Sequence, residues 1–180
     1  QCHDHPMADW KRSDFWGVAA LFAGGPAAQG MAGAPPKIKP VDDEVTYTAK
    51  LLWSDQPLTE IPAQKSPREV LADWLVAPEN PNFAPSAVNR VWQYFCGRGL
   101  AGSVDELDRL TPEEPRVLDE LAKLFVASGH DLRWLITGIC KSKVYQQQVV
   151  RDAPLDESGF VHRPLKTLLP EQVFDSLEQA

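Results

Sequence analysis

Ser66-Pro67-Arg68-Glu69-Val70-Leu71-Ala72-Asp73-Trp74-Leu75 is the stretch that decides the fold. Serine followed three residues later by glutamate is a capping box, and Pro67 occupies the first helical position, where its missing N–H costs nothing. Val70, Leu71, Trp74 and Leu75 then fall on one face of a helix, and Pro78 and Pro81 stop it. The same grammar repeats downstream. A helix from about Ala84 to Cys96 carries Val88, Val91, Trp92 and Phe95 at i, i+3, i+4, i+7, with Gly97 as its terminator. Another runs from Pro115 to Ser128, with Val117, Leu118, Leu121, Leu124 and Phe125 expected inward and Gly129 as the stop. Asp131 caps a fourth, with Leu132, Leu135, Ile136, Ile139 and Cys140 aligned, and Pro170 opens a last one bearing Val173, Phe174 and Leu177. A helix with one apolar stripe must bury it against something, and helix-on-helix packing is the arrangement these elements allow. The expected fold class is mainly α, an irregular helical bundle.

Working outward, the chain upstream of Ser66 reads differently. Ser13 is placed to cap a short helix from Asp14 to Ala23, with Phe15, Ala19 and Phe22 on one side. Residues 24–40 are rich in Gly, Ala and Pro, Val45-Thr46-Tyr47-Thr48-Ala49 alternates weakly as a single strand, and Pro57 and Pro62 make 54–65 irregular. The organisation is therefore an N-terminal piece, residues 1–23, a Pro/Gly-rich connector, residues 24–65, and a helical domain, residues 66–180. Residues 146–165 read as a polar loop. Both ends read as cuts through a longer protein.

Composition removes several function classes. The net charge of −7 leaves no basic face for sequence-independent nucleic-acid binding. No apolar run is long enough to span a membrane. Three cysteines, Cys2, Cys96 and Cys140, are too few and too scattered for a disulfide framework. Cys96 and Cys140 fall among apolar helical positions and read as buried thiols, which leaves Cys2 to account for.

Cys2-His3 is the second half of C-x-x-C-H, in which two thiols bond a porphyrin and the adjacent imidazole ligates its iron. The first cysteine would lie two residues before Gln1. His5 is too close in sequence to His3 to serve the opposite face of the same ring. The alternative is a metal site: Cys2, His3, Asp4 and His5 carry the thiolate, imidazole and carboxylate donors that zinc takes, completed by a residue from elsewhere such as His162. A second candidate lies at Gly97-Arg98-Gly99-Leu100, where two glycines force a turn. Arg90 or Arg98 could bind an anionic ligand or pair internally with Asp105, Glu106 or Asp108, and the internal salt bridge is the expected outcome. The same three carboxylates match no EF-hand spacing and read as a solvated acidic turn. Trp74, Trp92 and Trp134 sit at or beside core positions, leaving Trp10, Trp16 and Trp53 for a sugar-binding surface. No nucleophile elbow, zinc-protease helix, phosphate loop or dinucleotide fingerprint is present, so no catalytic residue is assigned and an enzyme is not expected.

Two stretches taken together resemble a known pair of domains. Cys2-His3-Asp4-His5-Pro6, Trp10, Asp14-Phe15-Trp16 and Leu21-Phe22 resemble the end of the planctomycete-type cytochrome-c-like domain. Ser66-Pro67-Arg68, Leu71-Ala72-Asp73-Trp74-Leu75, Val88-Asn89-Arg90-Val91-Trp92, Gly97-Arg98-Gly99-Leu100 and Glu171-Gln172-Val173-Phe174 resemble the domain of unknown function that follows it. The resemblance implies a secreted or periplasmic multidomain bacterial protein. It also implies haem c in the full-length parent held by Cys2 and His3, serving electron transfer. One thiol at a chain end holds a porphyrin poorly, so haem is not expected in this piece alone. The alternative is a non-catalytic binding or scaffold module for a polysaccharide or a partner protein.

Overall fold

The computed structural model describes residues 3–6, 9–23, 33–41, 43–101, 116–150 and 167–179. Among them are six α-helices and one two-stranded antiparallel sheet, so the fold is mainly α. The chain divides into two compact units, Gln1–Asn80 and Pro81–Ala180.

In the first unit, helix α1 (Arg12–Ala20) is followed by strands β1 (Lys37–Ile38) and β2 (Tyr47–Thr48) and helix α2 (Pro67–Val76). The residue preceding α1 is Lys11, not Ser13: the Asp14 carboxylate accepts the Lys11 N–H at 2.9 Å. A second carboxylate, Asp4 Oδ1, accepts the Arg12 N–H at 2.7 Å, so two anions meet the positive end of the helix. The face of α1 that turns inward is not the Phe15–Phe22 side. Gly17, Ala20 and Leu21 are buried, whereas Phe15 and Phe22 stay exposed. The inward face packs on the sheet, in which Lys37 pairs with Thr48 and Ile38 with Tyr47. One partly legible strand is thus half of a two-stranded pair, and within the expected connector β1 and β2 pack on α1. Ala20, Leu21 and Ala49 form a small core, flanked by Ile38, Leu51, Leu58 and Leu71.

Leu71 brings α2 into this unit. The capping box of α2 closes as the sequence predicts: Glu69 Oε2 accepts the Ser66 N–H at 2.6 Å and Ser66 Oγ accepts the Glu69 N–H at 3.2 Å. Polar links tie distant segments together. Lys50 Nζ reaches Asp14 at 2.9 Å, Arg12 reaches Asp43 at 2.7 Å, and Tyr47 donates to Asp43 at 3.1 Å.

The second unit holds α3 (Phe83–Cys96), α4 (Arg116–Ala127), α5 (Leu132–Lys141) and α6 (Pro170–Glu178). Helices α3, α4 and α5 pack pairwise on one another. Their shared core is Val88, Trp92, Cys96, Leu118, Ala122, Phe125, Leu135 and Ile139, each large side chain worth about 1.5–3 kcal/mol on burial. Gly97 ends α3 in the left-handed region, φ 87°, and Asp131 Oδ1 caps α5 by accepting the Arg133 and Trp134 N–H groups at 2.8 and 3.1 Å. Several expected core residues are exposed instead: Val117 and Leu124 on α4, Leu132 and Trp134 on α5. A three-helix core takes a narrow stripe, here Leu118, Ala122 and Phe125, and the flanks of a wide apolar face are left at its rim. Helix α6 buries no residue. Its Gln172 Nε2 donates to Tyr94 Oη at 3.2 Å, while Val173, Phe174 and Leu177 face solvent.

Candidate functional site

The segment around His3 is tied to α1 by one bond, to Trp10 by a second, and is braced internally by a third. Asp4 accepts the Arg12 N–H, the His5 N–H donates to the Trp10 carbonyl at 2.8 Å, and His3 Nδ1 lies 2.7 Å from the Asp4 carbonyl oxygen. A carbonyl oxygen can only accept, so Nδ1 is the donor in this contact. A metal-ligating imidazole is commonly held in this way, with its other nitrogen bonded to a backbone carbonyl. His3 and His5 both line a cavity of about 340 Å³, together with Pro6, Trp10, Phe15 and Leu52 and the charged side chains of Lys11, Arg12 and Asp14. Arg12 Nε is buried and has no hydrogen-bond partner among the described residues, although the same guanidinium pairs with Asp43 through Nη2. Phe15 and Leu52 also line a neighbouring trough of about 460 Å³, whose other walls are Val18, Ala19 and Phe22.

The donor set fits a haem-type group. His3 offers an imidazole nitrogen, the walls beyond it are apolar, and Arg12 Nε supplies a donor with no acceptor. Cys2 lies outside the described residues, as does His162. Among the described residues no group of three or more His, Cys, Asp and Glu side chains is placed to hold a metal ion.

The second candidate loop is pinned by Asn89, on α3. Asn89 is 0% exposed. Its Oδ1 accepts the Leu100 N–H at 2.7 Å and the Ala101 N–H at 3.1 Å, and its Nδ2 donates to the Ala101 carbonyl at 2.8 Å. Gly99 makes this possible, because a Cβ there would come within 2.7 Å of Asn89 Oδ1. A buried asparagine one turn above Trp92 in a helix is detectable as a polar residue on the apolar side, with a Gly-rich loop to receive it. Arg98 is half-buried and engaged, and Arg90 is engaged and exposed. Asp105, Glu106 and Asp108 fall outside the described residues.

Residues 67–180 match the family PSD1, described as a protein of unknown function (DUF1553). The chain belongs to this family. The PSD1 match begins at the first residue of α2 and ends beyond α6, so it contains the Asn89–Gly99 arrangement and leaves out the His3 cavity. No curated protein and no solved structure matches the chain. Within the PSD1 span, the described cysteines are free thiols, Cys96 buried and Cys140 half-buried. Among the described residues no helix is long and apolar enough to cross a membrane.

The aromatic residues considered for a sugar surface are brought together in part. Trp53 lies 5.7 Å from Trp10 and 5.6 Å from Trp74, whereas Trp16 stacks on Tyr47 at 6.3 Å. Trp53 is 53% exposed and has φ 57°, an uncommon backbone region for a bulky side chain.

Proposed function

We propose that this chain is part of a secreted or periplasmic electron-transfer protein in which Cys2 and a second cysteine upstream attach haem c and His3 ligates the iron. The observation that carries the reading is the His3 Nδ1–Asp4 carbonyl contact of 2.7 Å, which leaves Nε2 as the ring nitrogen that would ligate iron, beside a cavity lined by charged and apolar side chains. Asp4 ties the motif to the first turn of α1 and His5 ties it to Trp10. Haem supplies reversible one-electron chemistry when bound. Phe15 and Leu52 would offer a bound ring an apolar surface, beside the charged side chains of Lys11, Arg12 and Asp14. The PSD1 helical unit is then a companion domain with no catalytic role of its own.

The test is a longer chain containing the upstream residues, expressed with cytochrome-maturation machinery. A Soret band that survives denaturation is expected, and His3→Ala should shift it while leaving the covalent bond. A folded, colourless product overturns the reading.

A second reading, a non-catalytic module for polysaccharide, has one observation in its favour. Trp53 is held half-exposed between two other tryptophans in an uncommon backbone conformation. Polymer binding in a glycan array that is lost in Trp53→Ala supports it, and no binding to any polymer removes it.

A further inference from the structure

Helix α1 carries two apolar faces, and the structure uses only one of them as core. Phe15, Val18, Ala19 and Phe22 repeat at i, i+3, i+4, i+7, the spacing that normally marks a buried stripe, yet they line the open trough with Leu52. From Phe15 to Phe22 the stripe is about 10 Å long, at 1.5 Å per residue. The trough adjoins the His3 cavity, since Phe15 and Leu52 wall both. At Phe22, another of its walls, the Arg68 guanidinium lies over the ring, 5.4 Å from its centroid. The apolar floor thus shares walls with the imidazole's cavity and has a cation at Phe22.

We infer that this trough is a porphyrin cradle: Phe15, Val18, Phe22 and Leu52 lie against the ring, and Arg68 receives a propionate carboxylate at the rim. The inference rests on the haem reading for the identity of the occupant. The floor is the surface that a flat macrocycle buries and that water wets poorly, and its volume lies in the range of about 300–1,000 Å³ usual for ligand sites. Arg68 supplies charge complementary to a carboxylate in a geometry suited to two-point hydrogen bonding. A fatty acid would also bring a carboxylate and an apolar body, but it would leave the imidazole of the adjoining cavity without a role. The expectation that one thiol holds a porphyrin poorly counted only the chain end. The trough adds a non-covalent surface that does not depend on Cys2.

The test uses the chain as it stands and metal-free protoporphyrin IX, which needs neither iron nor thiol. Its binding is read by quenching of tryptophan fluorescence, since Trp10 lines the adjoining cavity. Saturable quenching is expected. Arg68→Ala should weaken it about tenfold, the equivalent of one charge-assisted hydrogen bond. The dimethyl ester of protoporphyrin should bind wild type and Arg68→Ala alike. Val18→Glu should abolish binding, and Phe22→Ser, at an already exposed position, provides the same test if Val18→Glu fails to fold. Circular dichroism checks folding in each case. Absence of saturable quenching, equal binding by all variants, or tighter binding of laurate than of protoporphyrin each overturns the cradle. The two proposals fail separately. A colourless longer chain with intact protoporphyrin binding removes the haem reading and keeps the trough as a porphyrin site. A longer chain with covalent haem but no protoporphyrin binding does the reverse.

Discussion

The unit from Pro81 onward and the unit up to Asn80 are held by different kinds of interaction. In the C-terminal unit, three helices share a continuous apolar core that runs from Val88 to Ile139 in sequence. Among the described residues of the N-terminal unit, the buried apolar cluster is Ala20, Leu21 and Ala49, with Ile38, Leu51, Leu58 and Leu71 against it, and polar links join distant segments. Lys50 bonds Asp14, Arg12 and Tyr47 both bond Asp43, and Asp4 bonds the first turn of α1. Apolar burial is insensitive to pH and salt, whereas ion pairs and carboxylate hydrogen bonds depend on both. The two units should therefore respond to different perturbations. The unit with less apolar core is also the one that leaves an apolar stripe, Phe15 to Phe22, open beside a pair of histidines.

The largest effect should come from the helical core. Leu135 is almost fully buried against α3 and α4. Leu135→Ala removes its contacts and leaves a cavity, at a cost of about 2–5 kcal/mol. Chemical denaturation measures it. A cost below about 1 kcal/mol would mean that the core collapses around the void and would break the contrast between the units.

That contrast also explains which parts of the molecule were legible in the sequence. The Ser66–Glu69 capping box, the Asp131 cap and the Gly97 terminator are local, encoded within a few residues, and each appears as read. The Val88–Trp92 stripe was legible because a three-helix core imposes a period of 3.6. The N-terminal unit left no such signal. Its links join residues far apart in sequence, Lys50 with Asp14 and Arg12 with Asp43, and a two-residue strand pair has no periodicity to detect. Phe15, Ala19 and Phe22 were legible as one side of a helix, because helical spacing shows that apolar residues share a side, not which side the fold buries. The proposed haem site rests on the chemistry of Cys2-His3, whereas the walls of the His3 cavity include Phe15 and Leu52, which no motif marks. The role of Asn89 was not legible for a related reason: residue type alone puts asparagine outside, and only the returning loop at Leu100 and Ala101 supplies its partners.

An intermediate effect is expected where the helical unit depends on a polar contact. Gly99→Ala would place a methyl group 2.7 Å from Asn89 Oδ1 and 3.0 Å from its Nδ2. The amide must move and release the Leu100 and Ala101 backbone groups, at a cost of about 1–3 kcal/mol. Thermal melts of Gly99→Ala, Asn89→Ala and the double variant sharpen this. Because both changes break the same bonds, the double variant should cost much less than the sum of the two. Simple additivity would show that Gly99 and Asn89 act independently.

The smallest effect should be in the N-terminal unit, and it should be the one that depends on pH. Burial pushes the Asp14 carboxyl up, but hydrogen bonds from the Lys11 N–H and the Lys50 ammonium, with the charges of both lysines, outweigh burial and hold it below the ordinary carboxylate range. A depressed folded pKa means that the carboxylate stabilises the fold at any pH above its unfolded value, about 3.9, and that this contribution is lost as pH falls from there through the folded pKa. Asp43 and Glu69 lie below their usual range for similar reasons, the first chiefly through the Val45 N–H and the second through the Ser66 N–H. In the helical unit, Lys123 is shifted the other way, raised by its hydrogen bond to Glu120, so its contribution is lost only in strong alkali. Asp14→Asn removes the charge that bonds both Lys50 and the start of α1, and at neutral pH it should cost about 1–2 kcal/mol. The difference between wild type and Asp14→Asn should shrink steadily between about pH 5 and pH 2, because a protonated aspartic acid and an asparagine are nearly equivalent there. Leu135→Ala should show no such convergence. Denaturation midpoints of the three proteins across that range decide it: a wild-type to Asp14→Asn gap as wide at pH 2 as at pH 7 would show that Asp14 acts through packing, and that the N-terminal unit is not held by its charges.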